Sequence, residues 1–277
     1  MWSTLKKRIW HVKSALVIAP TVATAVIAGN FFGLFNVLEW EVRDSLFRWR
    51  PVEGVDTEIV VGTSDEYDIR AANDWPIPDG KLAELLTKVS EQSPRAIGLD
   101  LYRDLPEEPG HELLVDVFES TPELIGVEKV IGNRVDPPPV LASLGQVGLA
   151  DLVLDADRRV RRSLLTAEDA EADGAIKAGM ATQVALRYLA AEDISLESVD
   201  ADRQLFQLGK GTYLPLRSQE AGYSKEDVGG YQILLNWRGG EAAFQTVTKE
   251  KVLTGQVEPD LMRDRMEEES SKDAFSE

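Results

Sequence analysis

The chain is 277 residues long, with 30 basic against 48 acidic side chains, two histidines and no cysteine. Its formal charge of −18 argues against a nucleic-acid binder, because neutralising phosphate takes clustered Lys and Arg. The missing cysteines remove disulfides, thiolate metal sites and Cys nucleophiles, and no metal or cofactor is expected.

His11 lies in a basic N-terminal stretch, which leaves His111 alone available to a folded domain. A Ser-His-Asp triad or a multi-histidine zinc site is therefore disfavoured. Apolar residues make up 43 % of the chain, enough for a packed core.

After a cytoplasmic segment 1–13 carrying Lys6, Lys7, Arg8 and Lys13, no charge appears from Ser14 to Leu38. That stretch is long enough to cross a hydrocarbon core of about 30 Å, and it predicts one transmembrane helix over 14–38. A cleaved secretory signal is the rival reading, but the apolar run is too long and bulky Phe31, Phe32 and Phe35 follow its small residues. Basic residues before the span and Glu39 and Glu41 after it predict a single-pass protein with a cytoplasmic N-terminus. The main domain then lies in a periplasm or extracellular space, with Trp10 and Trp40 at the two ends of the span.

Next comes the amphipathic EVRDSLFRWRP, then EIVVGTSDE as a buried strand and KLAELLTKVSEQ as a helix with Leu82, Leu85, Leu86 and Val89 on one face. SPRAIGLDLY and ELIGVEKVI read as buried strands, with HELLVDVFES as a helix between them. GLADLVLDADRRVRRSLL predicts two strands around a DADRR turn, and AIKAGMATQVALRYLAAE a helix. RQLFQLGKGTYLPL gives a hairpin, YQILLNWRG a strand and TKEKVLTGQV a closing helical turn. Alternating strands and helices predict one α/β domain with a largely parallel sheet flanked by helices, preceded by the transmembrane helix. Residues 258–277 are charged, lack an apolar face and are expected to be disordered.

The order of these pieces resembles the CHASE type-2 family, sensory domains carried outside the membrane by bacterial signalling proteins. The resemblance runs through VRDSLFRWRP, IVVGTSDEYDI, NDWPIPDGKLAELL, SPRAIGLDLYRD, GLADLVLDADRRVRRSLL and YQILLNWRGGEAAFQTVTKEKVLTG, covering residues 41–257. Two departures stand out. Arg159 replaces the usual glycine of the aspartate turn, and MEEESSKDAFSE stands where the family continues with an apolar strand, membrane helices and a cytoplasmic output. A truncated product, or a sensor fragment without its own output, is therefore expected.

Three groups of residues are candidates for chemistry. Asp65 and Glu66, with Asp68 beside them, follow a strand end where α/β sheets present ligands, and Asp100 ends the next strand on the same edge. Trp75 precedes a helix and is either one wall of a cleft or a packing anchor. Arg161 and Arg162 belong to a dense cluster with Asp155, Asp157, Arg158 and Arg159, able to bind an anion or to be satisfied by the neighbouring acids. Strand alternation would put Arg161 and Arg162 on opposite faces. The D-x-D spacing lacks the glycine and distant glutamate of a calcium loop, and GKGT lacks the spacing of a phosphate-binding loop.

The leading expectation is a non-enzymatic, membrane-anchored sensor that binds a small ligand or a protein partner outside the membrane, with no nucleic acid involved. The alternatives are a hydrolase using Asp65, Glu66 and Asp100, and a structural module that forms a homodimer.

Overall fold

The computed structural model describes residues 2–64 and 76–271, the side chains of 2–15, 241 and 267–271 excepted. The chain divides into two compact units, Met1–Pro51 with Leu216–Gly229, and Val52–Pro215 with Gly230–Glu277.

The first unit contains helices α1 (Trp2–Phe31) and α2 (Asn36–Trp49). The uninterrupted helix expected over 14–38 is broken. α1 stops at Phe31, Gly33 turns the chain at φ +74°, and α2 begins at Asn36. A side chain at Gly33 would meet the Ser224 carbonyl oxygen at 2.9 Å, so both conformation and space demand glycine there. Among the described residues no single helix is long and apolar enough to cross a membrane. The pair Leu16–Phe31 and Asn36–Trp49, bent by 81°, meets that requirement together. Within this unit Trp40 and Tyr223 are fully buried, their ring centroids 5.6 Å apart. Arg43 donates to the Tyr223 hydroxyl at 2.9 Å, and the Asn36 amide donates to the Ser224 carbonyl at 2.9 Å.

The second unit starts with β1 (Asp56–Ser64), α3 (Asp79–Ser90), β2 (Ala96–Asp100), α4 (His111–Ser120), β3 (Leu124–Glu128), α5 (Pro139–Leu144) and β4 (Val147–Leu149). It continues with β5 (Arg162–Asp169), β6 (Ala175–Ala178), α6 (Met180–Ala190), β7 (Leu196–Asp200), β8 (Leu205–Leu208) and β9 (Gly211–Tyr213). The remaining elements are β10 (Tyr231–Leu234), β11 (Phe244–Thr248), α7 (Lys249–Leu253) and β12 (Met266–Ser271).

Six strands form a parallel sheet in the order β11-β1-β12-β2-β3-β4. Helices cover both of its faces, which is why its strands read as apolar runs rather than alternating ones. On one face Ile97, Leu99 and Leu124 pack with Leu82, Leu85 and Leu86 of α3 and Leu114 and Phe118 of α4. On the other, Ala96, Ile125 and Val127 pack with Met180 and Val184 of α6. Two small antiparallel sheets, β10-β5-β6 and β7-β8-β9, complete the unit.

Two expectations are corrected here. The helix expected from Ala175 begins only at Met180, because residues 175–178 pair with β5 as a strand. Gly179 makes the change of direction, since any Cβ there would lie 2.4 Å from the Leu164 carbonyl oxygen. The charged segment from 258 onward carries the strand β12 over Met266–Ser271, with Met262 fully buried and β12 hydrogen-bonded to β1 and β2 at once. Composition misleads there because a strand paired on both sides satisfies its backbone amides and carbonyls whatever side chains it carries.

The starts of α3 and α4 meet at two glycines. Gly110 sits at φ +102°, and a Cβ added to it would lie 2.5 Å from the Gly80 Cα. Gly110→Ala should therefore destabilise the chain by at least about 1–3 kcal/mol in urea unfolding. Gly54→Ala, where nothing lies within 4 Å, should be close to neutral in the same measurement.

Candidate functional site

A parallel sheet sends all its strands out on one edge, and here that edge carries acids. β1 ends there at Ser64, β2 at Asp100 and β3 at Glu128, with Asp151 just beyond β4. Asp65, Glu66 and Trp75 lie outside the described residues. Burial pushes the Asp100 carboxyl above the usual carboxylate range. It also raises the Tyr102 hydroxyl, with a further contribution from the charges of Asp100 and Asp151. Asp151 has a local structural task, accepting the backbone N–H groups of Val130 at 2.9 Å and Ile131 at 2.8 Å. Glu128 accepts from Lys177 at 2.5 Å.

Arg161 and Arg162 are both buried, and they come together on one carboxylate rather than facing apart. Arg161 Nη1 donates to Asp155 Oδ2 at 2.9 Å, and Arg162 Nε to Asp155 Oδ1 at 2.9 Å. Arg161 also grips Asp157 with bonds of 2.8 and 2.6 Å, while Arg162 Nη1 donates to Gln232 Oε1 of β10 at 2.8 Å. The alternation expected of a strand fails because regular pairing starts only at Arg162. Residues 155–159 form a tight turn with Arg158 at φ +63°, so the chain is not pleated there. Hydrogen bonding to Arg161 holds the Asp157 carboxyl below its ordinary range.

The far end of β5 repeats the device. Asp169 accepts a bidentate pair from Arg134 at 2.9 and 3.0 Å, and Lys177 approaches its other lone pairs at 3.0 Å. These partners, Arg134 first, depress the Asp169 pKa strongly. Burial works against the Lys177 charge, but Glu128 and Asp169 outweigh it and raise that pKa. Among the described residues no group of three or more His, Asp or Glu has the arrangement to hold a metal ion.

Between the two ends of β5 lies a cleft of about 460 Å³. Its floor is Leu165, Thr166, Ala167 and Glu168 of β5, Ile176 of β6, and Tyr231 and Ile233 of β10. Ala181, Thr182, Ala185 and Leu186 of α6 form one wall. Leu196, Phe206, Leu208 and Tyr213 of the β7-β8-β9 sheet form the other. Phe206 and Tyr231 meet edge to face with centroids 5.5 Å apart. Tyr231 donates its hydroxyl to the Gln204 carbonyl at 3.1 Å, and burial raises its pKa.

None of these lining residues stood out in the sequence. The available signal was the apolar content of LFQLGKGTYL, a hairpin too short to bury its side chains without a second layer.

The family model of the CHASE2 domain matches residues 21–266, and the chain belongs to that family, one of extracellular sensory domains. No curated protein and no solved structure gives a significant match.

Removing a carboxylate that two buried guanidiniums share takes one of two acids from Arg161, which keeps Asp157, and the Asp155 charge from Arg162, which keeps Gln232. Asp155→Ala should therefore cost about 3–5 kcal/mol of unfolding free energy, read in urea. Asp169 gives a pH signature. Its folded pKa is depressed, so its contribution is complete well above the unfolded value of about 3.9 and disappears as pH falls through the folded value. The parent should lose stability steeply below about pH 4, and Asp169→Asn should show a shallower acid limb in denaturant titrations over that range.

Proposed function

We propose that this protein is a membrane-anchored sensor domain that lies outside the membrane, binds a small ligand there without turning it over, and serves signal transduction. The observation that carries the reading is the cleft along β5, a half-open, mostly apolar site in a chain of a sensory-domain family.

Anchoring is supported by the first unit. Leu16, Val17, Ile18, Val22, Val26, Ile27, Phe31, Phe32 and Leu34 are each more than half exposed. Each large aliphatic or aromatic side chain left in water forgoes about 1.5–3 kcal/mol, a cost that a lipid environment removes. Basic residues ahead of the helix and acidic residues after it support a cytoplasmic N-terminus, an outer location for the domain and a place in a bacterial cell membrane.

Sensing needs no reacting group. A ligand acts on the equilibrium between two arrangements of its domain only through its different affinity for each. A reporter enzyme active only outside the cytoplasm should work when fused after Glu41 and fail when fused before Ser14. The intact chain should stay with the membrane fraction through alkaline extraction. The opposite fusion pattern, or release into the soluble fraction, overturns anchoring and orientation.

A further inference from the structure

We propose that the cleft along β5 is a site for an uncharged, predominantly apolar molecule of about one or two rings, a ligand class that deepens the sensor reading and rests on it. At about 460 Å³ the cleft falls within the roughly 300–1,000 Å³ of small-molecule sites and has room to spare for one or two rings.

Charge narrows the class. Among the described residues that line the cleft none is Lys or Arg, although the chain has 30 of them, and one carries a carboxylate, Glu168. An anion would lose its water beside that carboxylate and gain no cation in return. Nucleotides, sugar phosphates and organic acids are thereby excluded.

Hydrogen bonding narrows it further. The Thr182 hydroxyl is committed to the Leu165 carbonyl at 3.1 Å and the Tyr231 hydroxyl to the Gln204 carbonyl at 3.1 Å. Each keeps only acceptor capacity for a guest. The other polar side chains of the lining are those of Thr166, Glu168, Gln204 and Tyr213, so a ring with one donor finds an acceptor in a lining that is otherwise apolar. The mouth is apolar as well, with Ile176 73 % and Leu196 46 % exposed, so a bound ring covers surface that water otherwise meets. Edge-to-face packing of Phe206 and Tyr231 presents ring surface to an aromatic guest.

The test uses the full chain in lipid nanodiscs and equilibrium dialysis against indole, with benzoate as the charged probe of similar size and protein-free nanodiscs as the partition control. Indole should be retained beyond the control, and benzoate at least about tenfold more weakly. Ala185→Phe, which puts a ring into the cleft from the α6 wall, and Ile176→Asp, at an exposed position on its mouth, should each weaken indole binding at least about tenfold while the melting temperature stays near the parent's. Should Ala185→Phe fail to fold, Ile176→Asp decides alone.

Indole retained no better than by empty nanodiscs overturns the proposal, as does equal binding of benzoate, or indole binding that neither variant changes. Indole binding that falls as the chain self-associates also overturns it, by assigning the cleft to a second copy. The fusion experiment reports anchoring without any ligand, so failure of the cleft with intact topology leaves the sensor reading standing.

Discussion

Asp155 is the residue on which the candidate site depends. Its two oxygens hold Arg161 and Arg162, and Arg162 in turn reaches Gln232, so one carboxylate ties together the 155–159 turn, β5 and β10. At the other end of β5, Asp169 binds Arg134 and Lys177, the latter also bound to Glu128 of the main sheet. β5 is thus fixed at both termini by charge-assisted bonds, and residues 165–168 between them are left to line the cleft. Polar fastening at the ends lets the middle of the strand be apolar without losing its register.

The same arrangement explains how a chain of charge −18 keeps several of its arginines buried. Arg161 and Arg162 are only 4 % and 3 % exposed, and each lies against acids from its own neighbourhood. Replacing buried pairs of this kind by apolar residues is often neutral, whereas breaking them is costly. Their geometric value here is specificity, since a guanidinium fork accepts few arrangements of its partners.

Much of the fold was legible in the sequence. The spacing of Leu82, Leu85, Leu86 and Val89 marks the buried face of α3, and HELLVDVFES is α4 from its first residue to its last. β2 and β3 announce themselves as apolar runs because helices cover both sides. Breaks were harder to see. Gly33 and Gly179 interrupt helical patterns through a local backbone conformation and a close carbonyl, neither of which periodicity reports. The convergence of Arg161 and Arg162 on Asp155 was half visible, as a cluster of opposite charges but not as a shared carboxylate. The cleft was invisible, since it is built from two small sheets and a helix whose meeting depends on tertiary packing. Asp100 was placed on the correct edge, because a strand of a parallel sheet must end where its neighbours end.

The position of β12 has a consequence for synthesis. β1 and β2 follow one another early in the chain, yet the strand between them is supplied by Met266–Ser271. A ribosome emitting about 5–20 residues per second completes α3, α4 and the cleft segments while the centre of the main sheet still stands open. Two apolar strand edges, on β1 and β2, wait unpaired through that interval and invite any passing strand.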